Sequence, residues 1–131
     1  MQQLYMLYNR TNFESLLRHS SNRSISENIF SDIYDGEIWK SFLVSEGEKF
    51  FLPEKLDEHL GLSLNVDWFQ PFTHSAYSTG AIYAIINNLP RSIRFKPENI
   101  LILGLLPGPH EPKLHEINNY LAPLVNELVT L

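Results

Sequence analysis

Asp67, in the run LSLNVDWFQPF, heads the carboxylates that could do chemistry in this chain, and Glu98, Glu111, Glu116 and Glu127 follow it. Clustered carboxylates hold magnesium, a hard cation that takes oxygen ligands and keeps several of its waters. The spacing of these glutamates does not favour a cluster with Asp67. Glu98 falls in a connection between two apolar runs, Glu111 lies between Pro109 and Pro112, and Glu116 and Glu127 take the polar positions of a C-terminal helical pattern. The pairs His110-Glu111 and His115-Glu116 look superficially like a zinc motif. Histidines that share a metal on one helix stand about four residues apart, whereas these are five apart with Pro112 between them. His19, His59 and His74 show no partner pattern, and the chain has neither a phosphate-cradling glycine loop nor a GxSxG elbow. Cysteine is absent, which excludes disulfides, thiolate zinc sites and a cysteine nucleophile. Arg91, Arg94 and Lys96 form the only compact basic cluster. They could contact phosphates, although three charges on a strand connection also make an ordinary solvated loop.

With 131 residues, 44% of them apolar and 12% aromatic, the chain has material for one sizeable core and is short for two ordinary domains. Its formal net charge of −5 counts against independent nucleic-acid binding, because neutralisation of phosphates supplies most non-specific affinity. No run approaches the roughly 18 apolar residues of a membrane span. The amino terminus MQQLYMLYNR lacks the basic region, apolar stretch and cleavage site of a secretory signal, so an intracellular, soluble protein is expected.

Helices, strands and turns must position these residues. Thr11-Asn-Phe-Glu14 fits a capping box and predicts a helix over 12–19 with Phe13, Leu16 and Leu17 on its apolar face. Ser24-Ile-Ser-Glu27 repeats the signal, and Ile25, Ile29 and Ile33 predict a second helix ending near Tyr34. Asp35-Gly36 reads as a turn or helix stop that uses glycine's freedom at positive φ. Ile38, Trp39 and Phe42 then make an anchoring cluster at helical spacing. A charged, glycine-containing stretch at 45–49 marks a boundary between a helical prefix, 1–48, and a core, 49–131, and Pro53 opens a helical turn.

Leu62, Leu64, Val66 and Trp68 alternate with Ser63, Asn65 and Asp67. A strand there would bury the first set and turn Asp67 to the other face. Trp68, Phe69 and Phe72 adjoin that strand without basic neighbours and are read as core rather than as base-stacking platforms. Residues 80–87 and 99–106 are two further apolar runs, separated by turn-rich NNLPRSIRFKPEN. Three strands without an intervening helix favour an antiparallel meander, which PGPHEP closes. Leu114, Ile117, Leu121, Leu124 and Leu128 form a helical stripe, in which Pro123 predicts a kink or restart near Ala122. The fold class expected is α+β.

The ordered matches NVDWFQPF, YSTGAIYAIINNLPR, PGPHEP and YLAPLVNEL, spread over residues 62–128, resemble the transposases of CACTA-type (En/Spm-like) DNA transposons. YDGEIWKSF, upstream, is similar to a segment of related elements. The resemblance implies a nuclease core of RNase H-like fold, here in its N-terminal part, with Asp67 as the first carboxylate and metal ligand of an Asp-Asp-Glu site. It implies magnesium-dependent DNA cleavage and strand transfer in the intact family, with two ions about 3.5–4 Å apart. The second aspartate and the glutamate would lie beyond the final helix, after residue 131. The expectation is therefore a truncated transposase piece, catalytically incompetent alone, holding no magnesium stably and binding DNA weakly or not at all, and nuclear if it keeps a transposase role. A second expectation, from a different class, is a small non-enzymatic interaction module that uses the C-terminal apolar stripe or an open sheet edge to bind a protein partner or itself.

Overall fold

The computed structural model describes residues 2–24, 29–44, 47–74, 76–113 and 115–130. Three strands, β1 (Leu62–Phe69), β2 (Thr79–Ile86) and β3 (Ile100–Leu106), form an antiparallel sheet of order β1-β2-β3. This is the meander expected from the apolar runs. β2 is the central strand, and its residues Ile82, Ala84, Ile85 and Ile86 are buried. Both faces of a central strand can be covered, which is why this run is nearly all apolar rather than alternating.

β1 differs from its expectation. Leu64 and Val66 are 41% and 38% exposed, and only Leu62 and Trp68 in the strand are partly covered. Alternation tells which side chains share a face; it does not say that anything packs on that face.

Contacts divide the chain into two units, residues 1–63 with 85–101 and residues 64–84 with 102–131. The boundary expected after residue 48 falls within the first of these. In that first unit, α1 (Gln2–Tyr8) and α2 (Phe13–Leu17) bury Leu7, Phe13 and Leu17. Tyr8 meets Phe13 edge to face at 5.3 Å between ring centroids. The capping box at Thr11 does not form. Asn12 takes the N-cap position in the left-handed region, at φ 65°, and makes no side-chain cap. Asparagine tolerates that region better than most residues. α2 is correspondingly short and runs on into a 3-10 turn, Arg18–Asn22.

The second predicted helix is also replaced. Residues 25–28 lie outside the described residues, and residues 29–32 are not helical; a 3-10 turn, Ile33–Asp35, follows. The reason is local competition for backbone donors. The Asp35 carboxylate accepts from the Ser31 N–H at 2.8 Å and the Asp32 N–H at 3.1 Å, and it pairs with Arg23. A side chain that satisfies these N–H groups holds the backbone out of a helix. Gly36 sits at φ −69°, so positive φ is not its role; a Cβ there would come within 3.1 Å of the Ile33 carbonyl oxygen.

α3 (Glu37–Ser41) presents Trp39, which stacks on Phe51 at 3.8 Å with an interplanar angle of 8° and meets Tyr34 edge to face at 5.0 Å. Of the predicted anchoring cluster, Trp39 alone is covered, while Ile38 and Phe42 are exposed. Pro53 does open a turn, Pro53–Lys55, from its first position.

A polar clip closes this unit. Asn88 is fully buried; its Oδ1 accepts from the Gly61 N–H at 2.8 Å, and its Nδ2 donates to the Leu56 and His59 carbonyls at 2.8 and 3.0 Å. The predicted loop after β2 contains α4 (Arg91–Arg94) and a 3-10 turn, Pro97–Asn99.

In the second unit Gly80 passes beneath Trp68. A Cβ there would lie 2.9 Å from the indole ring and 3.1 Å from Leu106. Only glycine lets this part of β2 run so close to both neighbours. Thr79 Oγ1 donates to the Leu106 carbonyl at 2.6 Å, and the Ser78 hydroxyl donates to the Pro109 carbonyl at 2.9 Å. α5 (Ile117–Val129) is continuous through Pro123, so the predicted restart near Ala122 is not seen. Leu114 of the apolar stripe lies outside the described residues, and none of the α5 side chains is fully buried.

Candidate functional site

Asp67 stands on β1, the edge strand, and its side chain is exposed. Strand alternation turns it to the face opposite Val66 and Trp68. Those two residues line a recess of about 230 Å³ together with Glu111, Pro112 and Ile117. Glu111 therefore belongs to the other face from Asp67. The remaining glutamates are engaged or placed elsewhere. Glu116 accepts from the Lys113 N–H at 2.9 Å and lies 3.8 Å from His115 Nε2. Glu127 is exposed on α5, and Glu98 lines a depression in the first unit.

Among the described residues, no three of histidine, aspartate, glutamate or cysteine converge as a metal site. A two-metal centre needs several oxygen ligands around both ions. The described residues do not fit such a centre: Asp67 supplies one carboxylate, and no group of three ligating side chains forms around it.

The basic cluster is divided by the fold. Arg94 is buried, with its side chain 3% exposed, and its fork grips Asp32 through Nη1 to Oδ1 at 2.8 Å and Nη2 to Oδ2 at 3.0 Å. Its Nε donates to the Leu89 carbonyl at 3.0 Å, and Nη2 also reaches the Tyr34 hydroxyl at 2.9 Å. That hydroxyl lies 2.8 Å from the carbonyls of both Asn88 and Leu89 and can donate to one of them at a time. Burial pushes the Asp32 carboxyl up, but the Arg94 fork, the Ile33 N–H and the nearby cations outweigh it and hold the group below its ordinary value. Arg94 is thus spent on the interior, whereas Arg91 and Lys96 are exposed.

The sequence pointed to Trp68, Phe69 and Phe72 as core. Trp68 is half-buried over Gly80, but Phe69 and Phe72 are 45% and 60% exposed, because the edge strand and the segment after it lack a covering element. Of the histidines, His59 stacks on Phe50 at 4.5 Å and its Nδ1 lies 2.5 Å from the Phe50 carbonyl oxygen, while His110 and His115 are exposed.

Sequence reasoning missed Arg10, which reaches Asn99 across the fold. It also missed α1, although Leu4, Leu7 and Tyr8 carried a helical spacing that could have revealed it.

No helix among the described residues is long and apolar enough to cross a membrane. No curated protein and no solved structure matches the chain. Residues 27–131, from before α3 to the end of α5, match the family described as transposase family tnp2. That match spans Asp67, all three strands and every motif on which the resemblance to a transposase rested. The chain belongs to the transposase family tnp2.

Proposed function

We propose that residues 62–131 form the opening part of the nuclease core of a CACTA-type (En/Spm-like) DNA transposase of RNase H-like fold, with Asp67 as the first carboxylate of its Asp-Asp-Glu site. The observation that carries this reading is an exposed aspartate on the first strand of an antiparallel three-stranded meander that a helix follows, inside a match to a transposase family. DNA is the substrate that the family implies, and magnesium is the ion that a carboxylate site of this kind would take. A nuclear location goes with that role.

On this reading Asp67 is the first of three carboxylates, the other two being those that the family resemblance implies, and the chain by itself is expected not to cleave DNA. The test compares magnesium-dependent cleavage by the chain and by Asp67→Asn, each alone and within a longer polypeptide that supplies the other two carboxylates. Activity of the longer form that Asp67→Asn abolishes is expected. Equal activity of the two longer forms would remove Asp67 from the site, and cleavage by the short chain that depends on Asp67 would show that the site is complete without them.

A separate observation favours a second reading as an interaction module. β1 is an edge strand with apolar residues exposed, and α5 buries none of its side chains fully. An open edge with exposed apolar side chains is a template for pairing with another chain. A defined, concentration-dependent dimer in light scattering, disrupted by Val66→Lys, is the expected signature of that reading.

A further inference from the structure

Arg18, Arg23, Lys55 and Arg94 each face a carboxylate, whereas Arg10, Lys40, Lys49, Arg91, Lys96 and Lys113 have no such partner among the described residues, and of these six Arg10 and Lys96 share a place. These two cations, far apart in sequence, line one depression of about 210 Å³ in the first unit. Thr11, Phe13 and Ile93 also line it.

Asn99 fixes the Arg10 guanidinium and the backbone at Lys96. Its side chain is buried, and its Nδ2 donates to the Ile93 carbonyl at 2.9 Å, which orients Oδ1 to accept from Arg10 Nη1 at 3.0 Å. Its backbone N–H donates to the Lys96 carbonyl at 2.8 Å, and the Lys96 N–H donates to the Ile93 carbonyl at 3.0 Å. One N–H of the Arg10 guanidinium is therefore consumed in positioning, and the others remain to be offered. Glu98 also lines the depression and carries the opposite charge, so the formal balance of the three ionised groups is one positive charge.

We propose that Arg10, Thr11 and Lys96 form a binding site for a phosphate group, either inorganic phosphate or a phosphodiester of a nucleic-acid backbone. A guanidinium fork and a separate ammonium suit a tetrahedral, multiply charged anion, since the fork fixes orientation and the ammonium adds a point charge. The sequence pointed to Arg91, Arg94 and Lys96 for this chemistry; folding withdraws Arg94 and places Arg10 on the depression that Lys96 also lines. The site does not rest on the Asp67 reading.

The experiment is amide NMR of the whole chain, titrated with sodium phosphate at constant ionic strength and, separately, with a short DNA duplex at several salt concentrations. Saturable shifts at Thr11, Lys96 and Asn99 are expected with phosphate, and Lys96→Gln removes them while leaving the rest of the spectrum in place. For the duplex, Lys96→Gln and Arg10→Gln each lower the slope of log affinity against log salt by about 0.9, the signature of one lost phosphate contact. Lys113→Gln, in the second unit, leaves the slope unchanged. Saturation by inorganic phosphate without a duplex effect assigns the site to the free anion. Amides at 11, 96 and 99 that stay fixed with both ligands overturn the proposal, as does a Lys113→Gln effect equal to that of Lys96→Gln. Lys96→Gln keeps the test sound if Arg10→Gln, which loses its bond to Asn99, disturbs the fold.

Discussion

The polar cluster around Arg94 and the strand that carries Asp67 put charge to opposite uses. Around Arg94, an arginine, an aspartate, a tyrosine hydroxyl and two backbone carbonyls bond to one another in the interior of the first unit. On β1, Asp67 is exposed, and no group of three metal-ligating side chains forms among the described residues. A buried, fully bonded ion pair is a structural commitment, because removing one partner strands the other without water. An exposed carboxylate on an edge strand makes no such commitment, and its loss should cost little stability.

The comparison breaks most visibly at Arg94. Arg94→Met leaves Asp32 with a buried, uncompensated charge, and a loss of about 3–5 kcal/mol is expected in urea denaturation followed by circular dichroism. Acid examines the same pair without mutation. Since the folded Asp32 carboxyl lies below the ordinary value of 3.8, its contribution is complete above that value and disappears as pH falls further, through the folded value. The unfolding free energy of the wild type should drop across that interval, and Arg94→Met should lack this part of the drop.

Asn88→Ala comes next in size. It orphans the Gly61 N–H and two carbonyls, and a buried polar group left unsatisfied costs about 1–3 kcal/mol; the urea midpoint reads it directly. The smallest effect belongs to Asp67→Asn, whose stability should stay within about 0.5 kcal/mol of wild type. A larger destabilisation there would erase the contrast and make Asp67 a structural residue.

Much of the second half of the fold was legible because its signals are local. Apolar runs bounded by Asn, Pro and Gly located β2 and β3 to within a residue, and the alternation from Leu62 to Trp68 located β1. Capping signals were less reliable. At Thr11 the left-handed Asn12 took over the cap, and before Tyr34 the Asp35 side chain captured the backbone donors that a helix would have used. Both outcomes turn on which of several nearby polar groups reaches a given N–H, and that depends on packing partners distant in sequence, such as Arg23 for Asp35.

By itself the sequence determined the α+β class, the three-strand meander and the place of Asp67 on its first strand, since periodicity and turn chemistry act over a few residues. Its ordered motifs also pointed to the transposase family that the match over residues 27–131 establishes. Tertiary structure alone decided which charges are free. It took Arg94 into the interior against Asp32, bonded Arg10 to Asn99 beside the depression that Lys96 also lines, and left Leu64, Val66 and Phe69 uncovered. The physical reason is that exposure and ion pairing depend on what the rest of the chain places against a residue, and neither is encoded in the spacing of its neighbours.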